Sequence, residues 1–299
     1  MTLPQTLRSD RERSAITIME FFVKQMTISM LKPEIGADPG YESFFRNYSM
    51  LMSTNIVSHY LIDQASELEI AELLMETVSS AENDYNRTKI LHAAIGFSLN
   101  SAQIGEERGL DLADISQLIA AGNVTAKEIL LTFINCNEFI LIFAMFEDTI
   151  KRILVEAGSI SADAGLREPK IMIEIKKYLE NSSALRYFMI QISARTICMN
   201  FTDVEAMWRY FVAFRHLYVH SGGRPTPSWL PKFEKAQADL LKRLRKPDLA
   251  SLGVAETLMS FVPEERRLFM VPDTFANIFR NFVVAIMEAL YLSRREIKA

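Results

Sequence analysis

Phe214-Arg215-His216-Leu217-Tyr218-Val219-His220-Ser221-Gly222-Gly223 closes a long helix, and its reading decides the fold. Upstream, Thr202-Asp203-Val204-Glu205 has the pattern of a capping box, which satisfies the free backbone donors at a helix start. Gly222 or Gly223 suits the left-handed conformation that ends a helix. At about 100° per residue, Val204, Met207, Trp208, Phe211, Phe214, Tyr218 and Val219 share one broad apolar face, with Tyr210 on the outer side. Arg215 falls in the middle of that face. A guanidinium cannot stay there alone, so it requires a carboxylate or a phosphate.

The same three-to-four spacing of apolar residues recurs along nearly the whole chain, and strict alternation does not. Helices are expected over 10–31, 41–62, 65–79, 86–103, 111–121, 125–157, 168–180, 184–200, 203–220, 231–246 and 273–297. Eleven glycines and ten prolines in 299 residues are too few for a turn-rich β fold, so the fold class is all-α. The acidic balance of the chain shifts to neutral near residue 125. That shift divides an N-terminal helical region, 1–124, from a helical bundle, 125–299.

Cys136 and Cys198 lie in apolar runs with no paired spacing, which fits a reducing compartment. Phe139 to Phe146 is the longest purely apolar stretch and is far short of the ~20 residues of a membrane span. Arg8, Arg11 and Arg13 alternate with Asp10 and Glu12, unlike a signal peptide. A cytoplasmic protein without a membrane partner is expected.

The net charge of -4 hides an asymmetry. Residues 1–125 hold 9 Lys/Arg against 17 Asp/Glu, whereas 203–246 hold 9 against 4. The basic segment carries the Arg-His stretch and then Arg224, Lys232, Lys235, Lys242, Arg243, Arg245 and Lys246. A local positive field of this kind attracts a polyanion even from an acidic protein, so these residues are candidate RNA contacts. The alternative is an ordinary solvated helix face.

Phe139-Ile140-Leu141-Ile142-Phe143-Ala144-Met145-Phe146 is apolar all round, the mark of a buried helix, and Glu147 follows at once. A carboxylate beside a buried segment needs a partner. The chain has only four histidines, and His216 and His220 share a face at metal-ligand spacing. A zinc protease would want Glu at position 217, where Leu217 stands, and a catalytic zinc needs a third ligand. His59 and His92 form no ligand pattern and read as capping or satisfied interior residues. No Gly-rich phosphate loop, Gly-x-Ser-x-Gly or paired-Cys motif occurs, so neither metal nor cofactor is expected.

Arg215-x4-His220, with a polar residue after the Arg and glycines beyond the His, resembles the signature of HEPN-superfamily ribonucleases. The resemblance covers about residues 125–299. It implies a HEPN-like bundle and a metal-independent endoribonuclease, in which a ribose 2′-hydroxyl attacks the adjacent phosphate and leaves a cyclic phosphate. His220 would be the acid/base and Arg215 would stabilise the phosphorane. His216 would orient the pair or share proton transfer, and Glu147 would hold Arg215. Two motifs usually meet across a homodimer in that family, and its members suggest a toxin or anti-phage effector with a cognate antitoxin or regulator. The alternative is a non-catalytic HEPN-like module that dimerises or binds nucleotides and partner proteins.

Geometry bears on that choice. In an ideal helix Arg215 and His220 point about 140° apart and are ~7.5 Å apart along the axis. They converge only if the helix loosens at its end or a second chain completes the cleft.

Overall fold

The computed structural model describes residues 30–79, 125–163, 165–166, 168–180, 183–244, 254–265 and 269–298. The helices expected over 86–103 and 111–121, nearly all of 10–31, and the residues His92, Arg245 and Lys246 lie outside the described residues. Among the described residues the chain is all-α, with no strand. The helices are α1 (Pro39–Gln64), α2 (Glu67–Ser79), α3 (Ala126–Glu156), α4 (Ile171–Leu179), α5 (Ala184–Arg195), α6 (Phe201–Ser221), α7 (Leu230–Leu244), α8 (Val254–Ser260) and α9 (Asp273–Lys298). A single 3-10 turn, Glu168–Lys170, leads into α4.

Helix α3 is the spine of the bundle. Thr125 caps it by accepting from the Glu128 amide, while the Glu128 carboxylate accepts from the Thr125 amide at 2.8 Å. This reciprocal bonding fixes where 31 residues of helix begin. The apolar centre of α3 is covered by α1 along one side and by α9, α6 and α4 along others. Helix α5 lies on α9, α7 lies on α6, and α8 bridges α7 and α9. Tyr41, Phe44, Tyr48 and Met52 of α1 join the same buried cluster as the helices after residue 125.

Rings dominate the centre. Phe139 meets Phe279 with centroids 4.4 Å apart, and Phe211 meets Phe279 at 4.9 Å in an edge-on contact. Phe143 stacks on Trp208 at 4.5 Å. Burying one Phe side chain is worth about 1.5–3 kcal/mol, so this cluster is a major term holding α3, α6 and α9 together.

By length and composition α3 and α9 are apolar enough to cross a membrane, because averaging along each helix absorbs its few polar residues. In α9 the most apolar stretch is 78% buried within the protein, and in α3 it is 50% buried. Most of the apolar surface of α9 therefore faces other helices of this chain. The two helices also carry interior charge. Arg280 pairs with Glu138 at 3.0 Å, both nearly inaccessible, and Asn55 donates to the same carboxylate. Burial pushes the Glu138 carboxyl up, against the pull of Arg280. Arg294 pairs with Asp38 at 2.9 Å, and Asp38 also caps α1 by accepting from the Tyr41 amide at 3.1 Å.

Several boundaries depart from the sequence expectation. The helix expected over 184–200 stops at Arg195, where Thr196 turns extended. The box that opens α6 is Asn200 with Asp203, not Thr202 with Glu205. The Asp203 carboxylate accepts from the Met199 and Asn200 amides, which pulls residues 199–200 out of α5. Helix α8 was not expected, and it explains Tyr210. The ring lies fully buried rather than on the outer side, because α7 and α8 cover that flank and its hydroxyl donates to the Leu258 carbonyl at 3.1 Å.

Candidate functional site

Helix α6 runs unbroken through Arg215, His216 and His220 to Ser221. Gly222 (φ 55°) and Gly223 (φ 83°) then close it in the left-handed region, where a Cβ would be strained. The Gly223 amide donates to the Leu217 carbonyl at 3.1 Å, a wrapped helix end. Phe269 donates to the Gly223 carbonyl at 2.9 Å, and the Tyr218 hydroxyl donates to the Phe269 carbonyl at 2.6 Å. The last turn is thus pinned through Phe269 and stays helical to Ser221.

Arg215 emerges from the apolar face between two carboxylates. Its Nη2 lies 2.9 Å from Glu147 of α3, and its Nη1 pairs with Glu168 of the 3-10 turn. Its guanidinium carbon sits 4.8 Å from the centroid of Phe143, one turn before Glu147. Phe143, Trp208 and Arg215 form a layered support, since Trp208 stacks beneath Phe143 and donates its indole N–H to the Glu168 carbonyl at 2.7 Å. One indole therefore fixes the turn that presents the second carboxylate.

Beside this clamp, His216 Nε2 lies 3.8 Å from the other Glu168 oxygen. The His216 and His220 rings face each other edge-on with centroids 5.5 Å apart, as expected for side chains four residues apart on one helix. His216 is half-buried and His220 exposed.

Burial raises the Glu147 carboxyl to about 7, with the Arg215 cation opposing. Burial depresses the His216 imidazole, and the nearby cationic groups His220, Arg215 and Lys232 push the same way. Near neutral pH, then, Glu147 is partly protonated and His216 is largely a neutral base. Groups tuned toward neutrality in a partly open site can take or give protons during a reaction.

The structure thus joins Glu147 to Arg215 and sets His216 beside His220 in the last turns of α6, with Arg215 and His220 on different sides of the helix. Lys232 is close enough to α6 to bias His216. Lys232, Lys235 and Lys242 are exposed on α7, and Arg243 and Arg224 are half-buried. Ten residues separate Lys232 from Lys242, so this basic stripe leads ~15 Å away from the histidines. His59 lies half-buried near Asn135 and Asp273, and burial lowers its imidazole. Among the described residues no three His, Cys, Asp or Glu side chains gather as a metal site.

Glu168 and Phe143 are the site residues that sequence reasoning missed. Phe143 read only as core. Glu168 was placed only as the first residue of the helix expected over 168–180, whereas 168–170 form a 3-10 turn and the α-helix begins at Ile171. The charge of Arg215 asked for one carboxylate or phosphate, and Glu147 already answered it, so the sequence held no signal for a second.

No protein-family model, curated protein or solved structure matches this chain.

Proposed function

We propose that this protein is a metal-independent endoribonuclease with a HEPN-like bundle. The supporting observation is the grouping of a clamped Arg215 with His216 and His220 at the pinned end of α6. The RNA 2′-hydroxyl gives its proton to His216, which burial and neighbouring cations keep neutral. The O2′–P bond forms, charge on the phosphorane is met by Arg215, and His220 protonates the departing 5′-oxygen as the P–O5′ bond breaks. A 2′,3′-cyclic phosphate and a 5′-hydroxyl are the products.

Because α6 stays regular through Ser221, Arg215 and His220 remain on different sides of it. A homodimer solves this by letting one chain's Arg215 work with the other's His220, and a two-fold contact doubles the local positive charge. The exposed Lys232, Lys235 and Lys242 extend the contact along RNA. A cytoplasmic toxin or anti-phage effector held back by an antitoxin or regulatory protein is the role this activity suits.

One observation favours a second reading, a non-catalytic module that dimerises or binds nucleotides. Both terminal nitrogens of Arg215 are already engaged by carboxylates, as in a purely structural arginine. Incubating the purified protein with total RNA and excess chelator, beside His220→Ala, separates the two. Cleavage that the variant loses supports the enzyme. Intact RNA that is nevertheless bound supports the module, and activity restored only by zinc or manganese overturns the metal-free mechanism.

A further inference from the structure

One carboxylate oxygen of Glu168 pairs with Arg215, and the other faces Nε2 of His216 at 3.8 Å. An anion with two oxygens, set across a guanidinium and an imidazole, is the arrangement a phosphate would adopt there. Glu147 differs: among the described residues its ion pair is with Arg215, which it approaches from the α3 side at 2.9 Å. The two carboxylates therefore have separate tasks: one backs the guanidinium, and the other covers the edge that faces His216.

The geometry points to a phosphate subsite formed by Arg215 and His216, in which Glu168 is an internal competitor that the incoming phosphate must displace. The inference rests on the ribonuclease reading for the identity of the anion as an RNA phosphate, and goes beyond it by naming what restrains the site. Four features support it. The Glu168 side chain is 26% exposed and that of Arg215 20%, so the pair is open to solvent on one side. The Glu168 backbone is anchored independently, through its carbonyl and the Trp208 indole at 2.7 Å, so the side chain can swing away without the turn moving. Arg215 does not lose all support when Glu168 leaves, because Glu147 and the Phe143 ring remain. Lys232 adds positive charge near His216, which draws an incoming phosphate toward the site.

Charge-assisted hydrogen bonds are stronger than neutral ones, and removing the competing carboxylate frees one such contact. An on-the-order-of-tenfold gain in phosphate affinity is the expected result, equivalent to about 1.4 kcal/mol. The test titrates inorganic phosphate into the full-length protein and follows the imidazole resonances of His216 and His220 by NMR. Wild type, Glu168→Gln, Glu168→Ala, Glu147→Gln and the double variant Glu168→Gln/Arg215→Ala are compared.

Both Glu168 variants should bind phosphate more tightly than wild type, Glu147→Gln should not, and the double variant should lose the gain. Unchanged or weaker binding in both Glu168 variants would overturn the inference. So would a gain that survives removal of Arg215, because that would be a general effect of one fewer negative charge. The readout does not depend on turnover. Tighter phosphate binding in a protein that cleaves no RNA sinks the ribonuclease reading and keeps the subsite. RNA cleavage with unchanged phosphate affinity does the reverse.

Discussion

Replacing Glu147 with Gln should change the pH dependence of stability in a defined direction. Burial raises the Glu147 carboxyl from an ordinary 4.5 to about 7 in the folded protein, and Arg215 only partly offsets it. Between those two pH values the folded state binds more protons than the unfolded chain, so stability falls as pH rises. The effect is absent below about 4.5 and complete above about 7. At about 1.4 kcal/mol per tenfold change in proton affinity, the full loss is about 3 kcal/mol. This is a ceiling, because the side chain keeps 19% of its surface in water.

Gln preserves the shape and can still accept from Arg215, while Glu168 keeps the guanidinium neutralised. Urea unfolding of both proteins from pH 4.5 to 8, analysed as the difference at each pH, isolates this one group. The Gln variant should gain relative to wild type as pH rises, ending about 1–3 kcal/mol more stable at pH 8. A difference that stays flat, or that grows in favour of wild type, would mean that attraction to Arg215 outweighs burial, and the reasoning would fail.

Arg215→Lys should lower RNA cleavage by about 100-fold or more, since an ammonium cannot hold Glu147 and a phosphate together as a planar fork can; near wild-type rates would show that diffuse charge suffices. Glu138→Ala leaves Arg280 buried without its carboxylate and should cost about 3–5 kcal/mol in urea unfolding; a loss under about 1 kcal/mol would indicate that water reaches the pair. If the cleft is shared between chains, specific activity should fall on dilution in step with mass measured by light scattering. A monomer with full activity would refute the shared cleft.

The spine α3 and the motif helix α6 were legible because apolar spacing over many turns leaves few alternatives for a helix. Gly222 and Gly223 marked the end of α6 for a local reason, their backbone freedom. The start was misplaced because Asn200, Thr202 and Asp203 all have capping chemistry, and only packing shows which one the preceding helix leaves free. Tyr210 was assigned outward because a helical wheel assumes one covered side, whereas α7 and α8 cover a second. Within the site, Arg215 announced its need for a carboxylate or a phosphate through its place on an apolar face. Glu147 was found because a helix fixed its position. Glu168 was not, because it sits in a turn whose approach to α6 depends on tertiary contacts, including the Trp208 indole.

The proposed cleavage proceeds by attack of an RNA 2′-hydroxyl without a metal ion. Its most direct measurement uses a short end-labelled RNA and the same strand carrying one 2′-deoxyribose at the mapped cleavage site, both in excess chelator. The all-ribose strand should be cut to a product ending in a cyclic phosphate, and the substituted linkage should remain whole. Cleavage at the 2′-deoxy linkage, or products without the cyclic phosphate, would contradict it.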